Sequence, residues 1–246
     1  MKIWQIAIRR LRMWLFRWRG GTRYVQTFPS PPLFQAVGKL GRSHTSDHLG
    51  SLFFFAVDAQ PRLMVELGTK GGESTRALLA AASITKAVLL SVDIRDCGQL
   101  ALPFSEHWQF VQADDVEFGR TGFVEWCRSH SIEPKIDLLF IDTSHMREHT
   151  KKEMEAWGPH LSDHATVVFH DTSMGAGPYA RLDGSVGFGY DNERGVIAEI
   201  EELLGRRYDE RSFFCDFAQG YLIMHHPSCN GLAVLKRMPQ PCREKA

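Results

Sequence analysis

The fold is decided by the stretch Val65-Glu66-Leu67-Gly68-Thr69-Lys70-Gly71-Gly72-Glu73-Ser74-Thr75. A short apolar run ends here in a glycine-rich turn, and an alanine-rich segment typical of a helix follows at once. Glycine lets the backbone turn sharply and approach a ligand closely, because no Cβ intervenes. Ser74 or Thr75 can cap the helix, whose free N–H groups would then face a bound ligand. The stretch predicts a ligand-binding loop, and a plain strand-to-helix turn is the alternative.

Apolar and helical segments alternate from Pro61 onwards. Seven segments have the pattern of strands: 63–67, 87–92, 108–112, 136–141, 165–170, 211–217 and 232–236. Four segments have the pattern of helices: 74–82, 116–130, 147–157 and 196–204. Strands that alternate with helices form a mainly parallel sheet that helices cover on both faces. The sequence therefore predicts an α/β fold of three layers.

Acidic residues stand at the ends of the second and third predicted strands. An acid at the position of Asp93 accepts hydrogen bonds from ribose hydroxyls in nucleotide-binding α/β folds. Asp114 and Asp115 follow the third strand. The dinucleotide fingerprint G-x-G-x-x-G is absent, because Lys70 stands where its second glycine would be. The three acids, in order, favour a nucleotide-like ligand other than a dinucleotide, although each acid alone could be an ordinary solvated loop residue.

The fourth and fifth predicted strands both end in segments that hold an acid and a histidine. Asp142 and His145 follow the fourth strand, and His170 and Asp171 close the fifth. The ends of neighbouring strands lie about 5 Å apart, so we expect the two aspartates to converge. Paired carboxylates suit a hard cation such as Mg²⁺. Either histidine could instead be a general base near neutral pH, or could merely close hydrogen bonds at a strand end.

These segments together resemble the class I S-adenosylmethionine-dependent methyltransferase superfamily, and within it the branch of cephalosporin hydroxylase-like and macrolide or sugar O-methyltransferases. The resemblance covers about residues 61–237. It rests on an acid-x-Gly-x-x-Gly form from Glu66 to Gly71, an Ile-Asp-x-x-His pattern at 141–145 and a Phe-His-Asp-Thr ending at 169–172. It implies a Rossmann-like three-layer sandwich, with a mostly parallel seven-stranded sheet whose last strand is antiparallel.

The resemblance also implies S-adenosylmethionine as the cofactor and assigns roles to individual residues. Asp114 would meet the adenine amino group, with Asp115 in reserve. The residues implied to bind the cofactor are Glu66, Gly68, Thr69, Gly71, Ser74, Asp93, Asp114 and Asp142. The residues implied to be catalytic are His145, Asp142 and His170.

A metal ion, Mg²⁺ or another divalent cation, is a further implication of the resemblance. In metal-dependent relatives, acids matching Asp142 and Asp171 hold a cation that binds two substrate oxygens. Those relatives usually add an acid or an asparagine beside the fifth-strand acid, whereas this chain has His170 and Thr172 there. Either His145 or His170 could supply the third ligand. Without a metal, one of the two histidines would act as the base.

The predicted function is methyl transfer from S-adenosylmethionine to a hydroxyl of a small molecule. Methyl transfer to nitrogen, a nucleotide-dependent oxidoreductase on the same fold and a non-catalytic membrane-associated binding module are the alternatives. Lys plus Arg and Asp plus Glu number 29 each in the 246 residues, so the net charge indicates no polyanionic partner, and no specific nucleic acid is expected. Five scattered cysteines indicate neither a zinc site nor a disulfide framework and fit a reducing cytoplasm.

The chain divides at the sequence level into residues 1–32, 33–60 and 61–246. Residues 1–23 have the pattern of a basic amphipathic helix, and a proline-rich linker follows to residue 32. We expect the helix to bind an anionic membrane surface peripherally, or to pack on the domain or on a second subunit of a homo-oligomer. Residues 33–60 are predicted to be a helical lead-in on the methyltransferase domain, 61–246. In that domain, the glycine-rich segment 172–194 is predicted to be a lid that contacts the acceptor through Tyr179, Arg181 or Tyr190, and a mobile surface loop is the alternative.

Overall fold

The computed structural model describes residues 31–38, 40, 45–173, 178–180, 186–188 and 194–238. The predicted amphipathic helix at 1–23 lies outside the described residues, as do Arg181, Tyr190 and most of the proposed lid. Within the described ranges, no helix has the length and apolar character needed to cross a membrane.

In the part of the chain that the structure describes, ten strands form one large sheet and one small one. In chain order they are β1 Leu63–Leu67, β2 Val88–Asp93, β3 Trp108–Gln112, β4 Ile136–Ile141, β5 Leu161–His170, β6 Pro178–Ala180, β7 Val186–Phe188, β8 Phe214–Ala218, β9 Tyr221–His226 and β10 Leu232–Arg237. The large sheet has the order β3-β2-β1-β4-β5-β10-β9-β8, and β6 pairs with β7. Strands β1 to β5 run parallel to one another, whereas the pairings β5–β10, β10–β9 and β9–β8 are antiparallel.

This architecture confirms the predicted Rossmann-like α/β fold, with one correction to the number of strands. The large sheet has eight strands rather than seven, because β9 was not predicted. Strand β9 is joined to β8 by the two-residue turn Gln219-Gly220, whose φ angles are +50° and +80°. Two successive positive φ angles are typical of the tight turns that connect antiparallel strands. The antiparallel part of the sheet is therefore a β8–β9 hairpin together with β10.

Seven α-helices in the described ranges flank the sheet. They are α1 Pro31–Val37, α2 Leu49–Asp58, α3 Glu73–Thr85, α4 Asp115–Glu117, α5 Phe123–Ser129, α6 Arg147–Trp157 and α7 Val196–Leu204. The single helix predicted at 116–130 is divided, because a π-helical turn, Phe118–Gly122, separates α4 from α5. Within that turn, a Cβ on Gly119 would come 2.8 Å from the indole ring of Trp157. The bulky indole therefore occupies the space that any larger residue at 119 would need.

Two apolar clusters cover the two faces of the sheet. Phe123, Trp157 and Ile200 belong to the cluster on the side of α5, α6 and α7. Leu52, Phe53 and Leu78 belong to the cluster on the side of α2 and α3. Strand β4 is buried along its whole length, and its side chains alternate between the two clusters. Because β1 to β5 are parallel, their carboxyl ends meet at one edge of the sheet, and the candidate site lies there.

Candidate active site

The glycine loop packs directly against the turn that follows β4. Gly68 has a φ of +88°, and a Cβ at this position would lie 2.1 Å from the carbonyl oxygen of Asp142. The Gly68 amide donates to the carbonyl of Val92, and the Asp142 amide donates to the carbonyl of Leu67, both at 2.9 Å. Only glycine combines this backbone conformation with so close an approach. The loop after β1 is thereby held against the turn that carries Asp142.

Glu66 is fully buried beneath the loop. Its carboxylate accepts hydrogen bonds from three hydroxyls, those of Ser74 at 2.7 Å, Thr75 at 2.8 Å and Ser91 at 2.6 Å. Burial raises the pKa of Glu66 to about 7, although the three hydroxyls oppose this shift. Two residues predicted to bind the cofactor, Glu66 and Ser74, are thus bonded to each other, and the network ties β1 to the start of α3 and to β2.

Asp93, at the end of β2, fastens the middle of the same loop. Its Oδ2 accepts the backbone N–H groups of Thr69 and Lys70, each at 2.9 Å, and its Oδ1 accepts the N–H of Arg95 at 2.8 Å. Burial acts to raise the pKa of Asp93, but these N–H donors outweigh it, and the pKa lies below its usual value. Asp93, the residue predicted to bind the ribose, is therefore hydrogen-bonded to the backbone of Thr69, which is predicted to bind the cofactor.

The two acids after β3 have different surroundings. Asp114 is exposed and caps α4, because its Oδ1 accepts the N–H of Glu117 at 2.9 Å. Asp115 is buried, and its Oδ2 lies 3.2 Å from Nε2 of His149. Of this pair, the solvent-facing carboxylate is therefore that of Asp114, the residue expected at the adenine.

Asp142, His145, His170 and Asp171 converge where β4 and β5 end. Asp171 is 3% exposed and forms ion pairs with Nδ1 of His145 and, at 3.2 Å, with Nδ1 of His170. Asp142 Oδ1 lies 3.5 Å from that same Nδ1 of His170. His170 is buried, whereas about a third of the His145 side chain is exposed. The cluster thus has a buried acidic interior and one accessible imidazole.

The two carboxylates control the protonation of both histidines. Burial alone would lower the pKa of His170, but Asp142 and Asp171 outweigh it and raise the pKa to about 10. The pKa of His145 is also raised, because Asp171 outweighs its burial. In return, the two histidines hold the pKa of Asp171 well below its usual range. The raised pKa of His170 favours its imidazolium form beside Asp142 and Asp171.

The backbone at this cluster adopts an unusual conformation. His145 has a φ of +61° and Asp171 a φ of +56°, which costs a residue with a Cβ about 1–2 kcal/mol. The residues after Asp171 are held from β9 and the turn before β10. His225 Nε2 lies 3.0 Å from Oγ1 of Thr172, and the Ser173 amide donates to the carbonyl of Asn230 at 2.6 Å. Such strain is concentrated at functional sites.

The donor set of this cluster fits a divalent cation. One ligand atom from each of Asp142, His170 and Asp171 lies within 4.8 Å of the other two. Oδ1 of Asp171 and Nε2 of His170 are buried and have no hydrogen-bond partner among the described residues. Two carboxylates with one imidazole suit Mn²⁺ or Zn²⁺ better than Mg²⁺, which prefers oxygen ligands.

The matched family assigns a class to this site. Residues 65–172 match the sequence model of a methyltransferase domain. The matched range contains the glycine loop, Asp93, Asp114, Asp142 and Asp171. The match covers a little under half of the chain, and it supports the class I S-adenosylmethionine-dependent methyltransferase superfamily for this domain. It is therefore an enzyme of the transferase class, as its sequence predicts.

Solved structures share the fold of this methyltransferase. MycE of the mycinamycin biosynthetic pathway, in complex with Mg and SAH, is 18% identical, with a TM-score of 0.54 over 94% of this chain and 61% of MycE. MycE with Mg, SAH and mycinamycin VI is 17% identical, with a TM-score of 0.53 over 97% and 65%. Cofactor-bound Rv0187 from MTB is 14% identical, with a TM-score of 0.52 over 89% and 96%. This chain thus spans about three fifths of MycE. No curated protein sequence matches it.

Three features of the methyltransferase site were not predicted from the sequence. His48 is buried with its ring 5.5 Å from that of His170, and its Nε2 lies 2.7 Å from the carbonyl oxygen of Ser228. The second feature is His225, whose Nε2 contacts the hydroxyls of Thr172 and Ser173 and so holds the residues that follow Asp171. The third feature is a second cluster of Asp115, His149 and Glu153. Its one sequence signal is the four-residue spacing of His149 and Glu153, which places them on the same helix face.

Proposed function

We propose that this methyltransferase transfers a methyl group from S-adenosylmethionine to a hydroxyl of a small molecule, with His145 as the general base. The observation that carries the proposal is the contact between the Asp171 carboxylate and Nδ1 of His145 beside the glycine loop. A carboxylate on one ring nitrogen fixes the orientation and tautomer of the imidazole, which leaves the other nitrogen to accept a proton. His145 would therefore take the hydroxyl proton through Nε2.

The proposed cofactor site uses the loop residues and the acids at the ends of β2 and β3. Asp93 accepts hydrogen bonds from the loop amides and would also accept them from the ribose hydroxyls. Asp114 would accept a hydrogen bond from the adenine amino group. No atom lies within 4 Å of the Cβ position of Gly71, so this side of the loop is open. The bound cofactor supplies an electrophilic methyl group on a sulfonium. The chain's own part is to place the acceptor oxygen in line and to remove its proton.

A second candidate mechanism adds a divalent cation held by Asp142, His170 and Asp171. The favouring observation is that their ligand atoms lie within 4.8 Å of one another in a buried cluster. A bound cation would lower the pKa of the acceptor hydroxyl and neutralise its charge. Asp142 and Asp171 would then hold the cation, and His170 would join them as a neutral ligand. The acceptor would be a small molecule with neighbouring oxygens, a class to which macrolides and sugars belong.

The test of the proposal measures cofactor binding and turnover separately. We expect calorimetry to show binding of S-adenosylhomocysteine and no comparable binding of NAD. A panel of small-molecule alcohols, phenols and amines is then assayed for methylated product. His145→Asn should lower kcat about 10²- to 10⁴-fold and leave S-adenosylhomocysteine binding unchanged. His130→Asn is the matched control, because His130 is exposed at the end of α5.

The outcomes of this test separate the mechanisms. Full activity of His145→Asn in excess chelator would refute the base role. Activity that chelation abolishes and that Mn²⁺ or Mg²⁺ restores would establish the cation mechanism. Methylation confined to the amines of the panel would refute the hydroxyl acceptor. Binding of NAD without any response to S-adenosylhomocysteine would refute the cofactor site.

A further inference from the structure

A second cluster of ligating side chains lies on the helix layer, apart from the proposed catalytic residues. Asp115 is the first residue of α4, and His149 and Glu153 lie one turn apart on α6. Nε2 of His149 is 3.2 Å from Oδ2 of Asp115 and 3.6 Å from Oε1 of Glu153. One ligand atom from each of the three residues lies within 4.8 Å of the other two. The three side chains can therefore reach one common point.

Glu153 is the unusual member of this cluster. The residue is 0% exposed, and its Oε1 accepts a hydrogen bond from Thr143 Oγ1 at 2.6 Å. Its Oε2 is buried and has no hydrogen-bond partner among the described residues. A buried carboxylate with one oxygen left without a hydrogen bond is costly, and the carboxylate of Asp115 beside it adds repulsion. In the described part of the chain, His149 is the basic side chain that pairs with both carboxylates.

The repulsion between the carboxylates of Glu153 and Asp115 can be relieved either by a proton that the two share or by a bound cation. Burial and the neighbouring Asp115 raise the pKa of Glu153 well above its ordinary value. In the absence of a cation, these surroundings favour a proton on Glu153, between the two acids. A divalent cation would displace that proton and neutralise both carboxylates, so metal binding here releases protons.

We propose that Asp115, His149 and Glu153 bind one divalent first-row transition-metal ion at a site separate from the active site. Two carboxylate oxygens and one imidazole nitrogen form a mixed donor set that suits Mn²⁺ or Zn²⁺. The side chains of Asp115 and His149 are 12% and 28% exposed, which leaves one side of the cluster for water ligands. The inference goes beyond the proposed function and does not rest on it.

The ligands are already held in place by their neighbours. The Thr143 hydroxyl fixes Oε1 of Glu153, and Nε1 of Trp157 donates to the backbone carbonyl of Asp115 at 3.1 Å. Such hydrogen bonds from outside the ligand set orient metal ligands before the ion arrives. Thr143 immediately follows Asp142, so the ion would fasten α4 and α6 to the turn that carries part of the active site. The site would therefore stabilise the fold.

The experiment counts Mn²⁺ bound to the full chain by electron paramagnetic resonance. Mn²⁺ is the probe because the five cysteines favour softer ions. Asp171→Asn serves as the background, since it weakens the cation site proposed for catalysis. In this background we expect one bound Mn²⁺ per chain, and its loss on adding either His149→Gln or Glu153→Gln. Glu155→Gln is the matched control on the same helix, because Glu155 is exposed and pairs with Arg120.

Folding of each variant is checked by circular dichroism and thermal unfolding. His149 is partly exposed, so His149→Gln is expected to fold even if the buried Glu153→Gln does not. Mn²⁺ should raise Tm in the Asp171→Asn background and in the Glu155→Gln control, but not once His149→Gln is added. An Asp171→Asn variant that binds no Mn²⁺, or a His149→Gln variant that keeps the full count, would overturn the site. Catalytic activity enters neither measurement, so failure here and failure of the proposed methyl transfer are distinguishable.

Discussion

Substitution by alanine at two glycines of the proposed cofactor loop should change the stability of the fold at one position and leave it unchanged at the other. At Gly68, the added Cβ would stand 2.1 Å from the carbonyl oxygen and 2.9 Å from the carbonyl carbon of Asp142. The backbone there has a φ of +88°, which an alanine rarely adopts. At Gly71, three residues later, no atom lies within 4 Å of the added Cβ. The pair therefore separates a steric requirement of the fold from a requirement of the ligand.

The expected magnitudes follow from these surroundings. The left-handed backbone costs an alanine at 68 about 1–2 kcal/mol. The overlap is with backbone rather than with a flexible side chain, and moving packed backbone costs about 1–3 kcal/mol. Gly68→Ala should thus lower the free energy of unfolding by about 2–5 kcal/mol, a large part of the total for a typical domain. Gly71→Ala should change it by at most about 1 kcal/mol.

Urea unfolding and calorimetry with S-adenosylhomocysteine measure the two effects separately. Gly68→Ala should unfold at a lower urea concentration and lose most of its binding, because the loop and the turn after β4 must move apart. Gly71→Ala should unfold as the wild type does but bind more weakly, because its methyl group projects into the open side of the loop. Wild-type stability in Gly68→Ala would refute the steric argument. Unchanged binding in Gly71→Ala would show that the cofactor does not occupy that side.

Three further changes test other parts of the site. The pKa of Glu66 is raised from 4.5 to about 7 in the folded state, so the folded chain binds this proton more tightly than the unfolded chain does. The free energy of unfolding should therefore fall by about 3 kcal/mol as the pH rises from below 4.5 to above 7. Glu66→Gln should flatten that fall in urea unfolding, and an equally steep fall in the variant would contradict the assignment. Asp93→Ala removes the acceptor of three N–H donors and should weaken S-adenosylhomocysteine binding at least tenfold by calorimetry, whereas equal affinity would count against the loop clamp. Gly119→Ala would place its Cβ 2.8 Å from the Trp157 indole and should lower Tm in thermal unfolding, whereas an unchanged Tm would refute this steric argument.

The parallel half of the fold could be predicted because its strands are buried on both faces. Such strands are continuous apolar runs, as in β4, and they are recognisable without a partner. Strand β9 was missed because it is only partly buried and ends in two histidines. Its signal was the Gln219-Gly220 turn, where a glycine follows a residue that can take a positive φ.

The convergence of Asp142 and Asp171 was predictable for a similar reason, since neighbouring parallel strands end at the same edge. The pairing of Glu66 with Ser74 was not, because it depends on the side-chain direction of a buried acid. The cluster of Asp115, His149 and Glu153 forms only because α4 packs against α6, and the spacing of residues in the sequence does not predict that packing. Asp115 stands beside the exposed Asp114 in the sequence, and only burial distinguishes the two acids.

The turn after β4 has a consequence for how related chains can diverge. The carbonyl of Asp142 fills the space above Gly68, and the next residue, Thr143, bonds the buried Glu153. Inserting or deleting one residue between 141 and 146 would break either the contact of Asp142 with Gly68 or the hydrogen bond from Thr143 to Glu153. By contrast, the side chain of Ser144 is exposed and can be replaced at little cost. Homologues that retain both contacts should therefore differ here by substitution and never by length, while insertions accumulate in other loops.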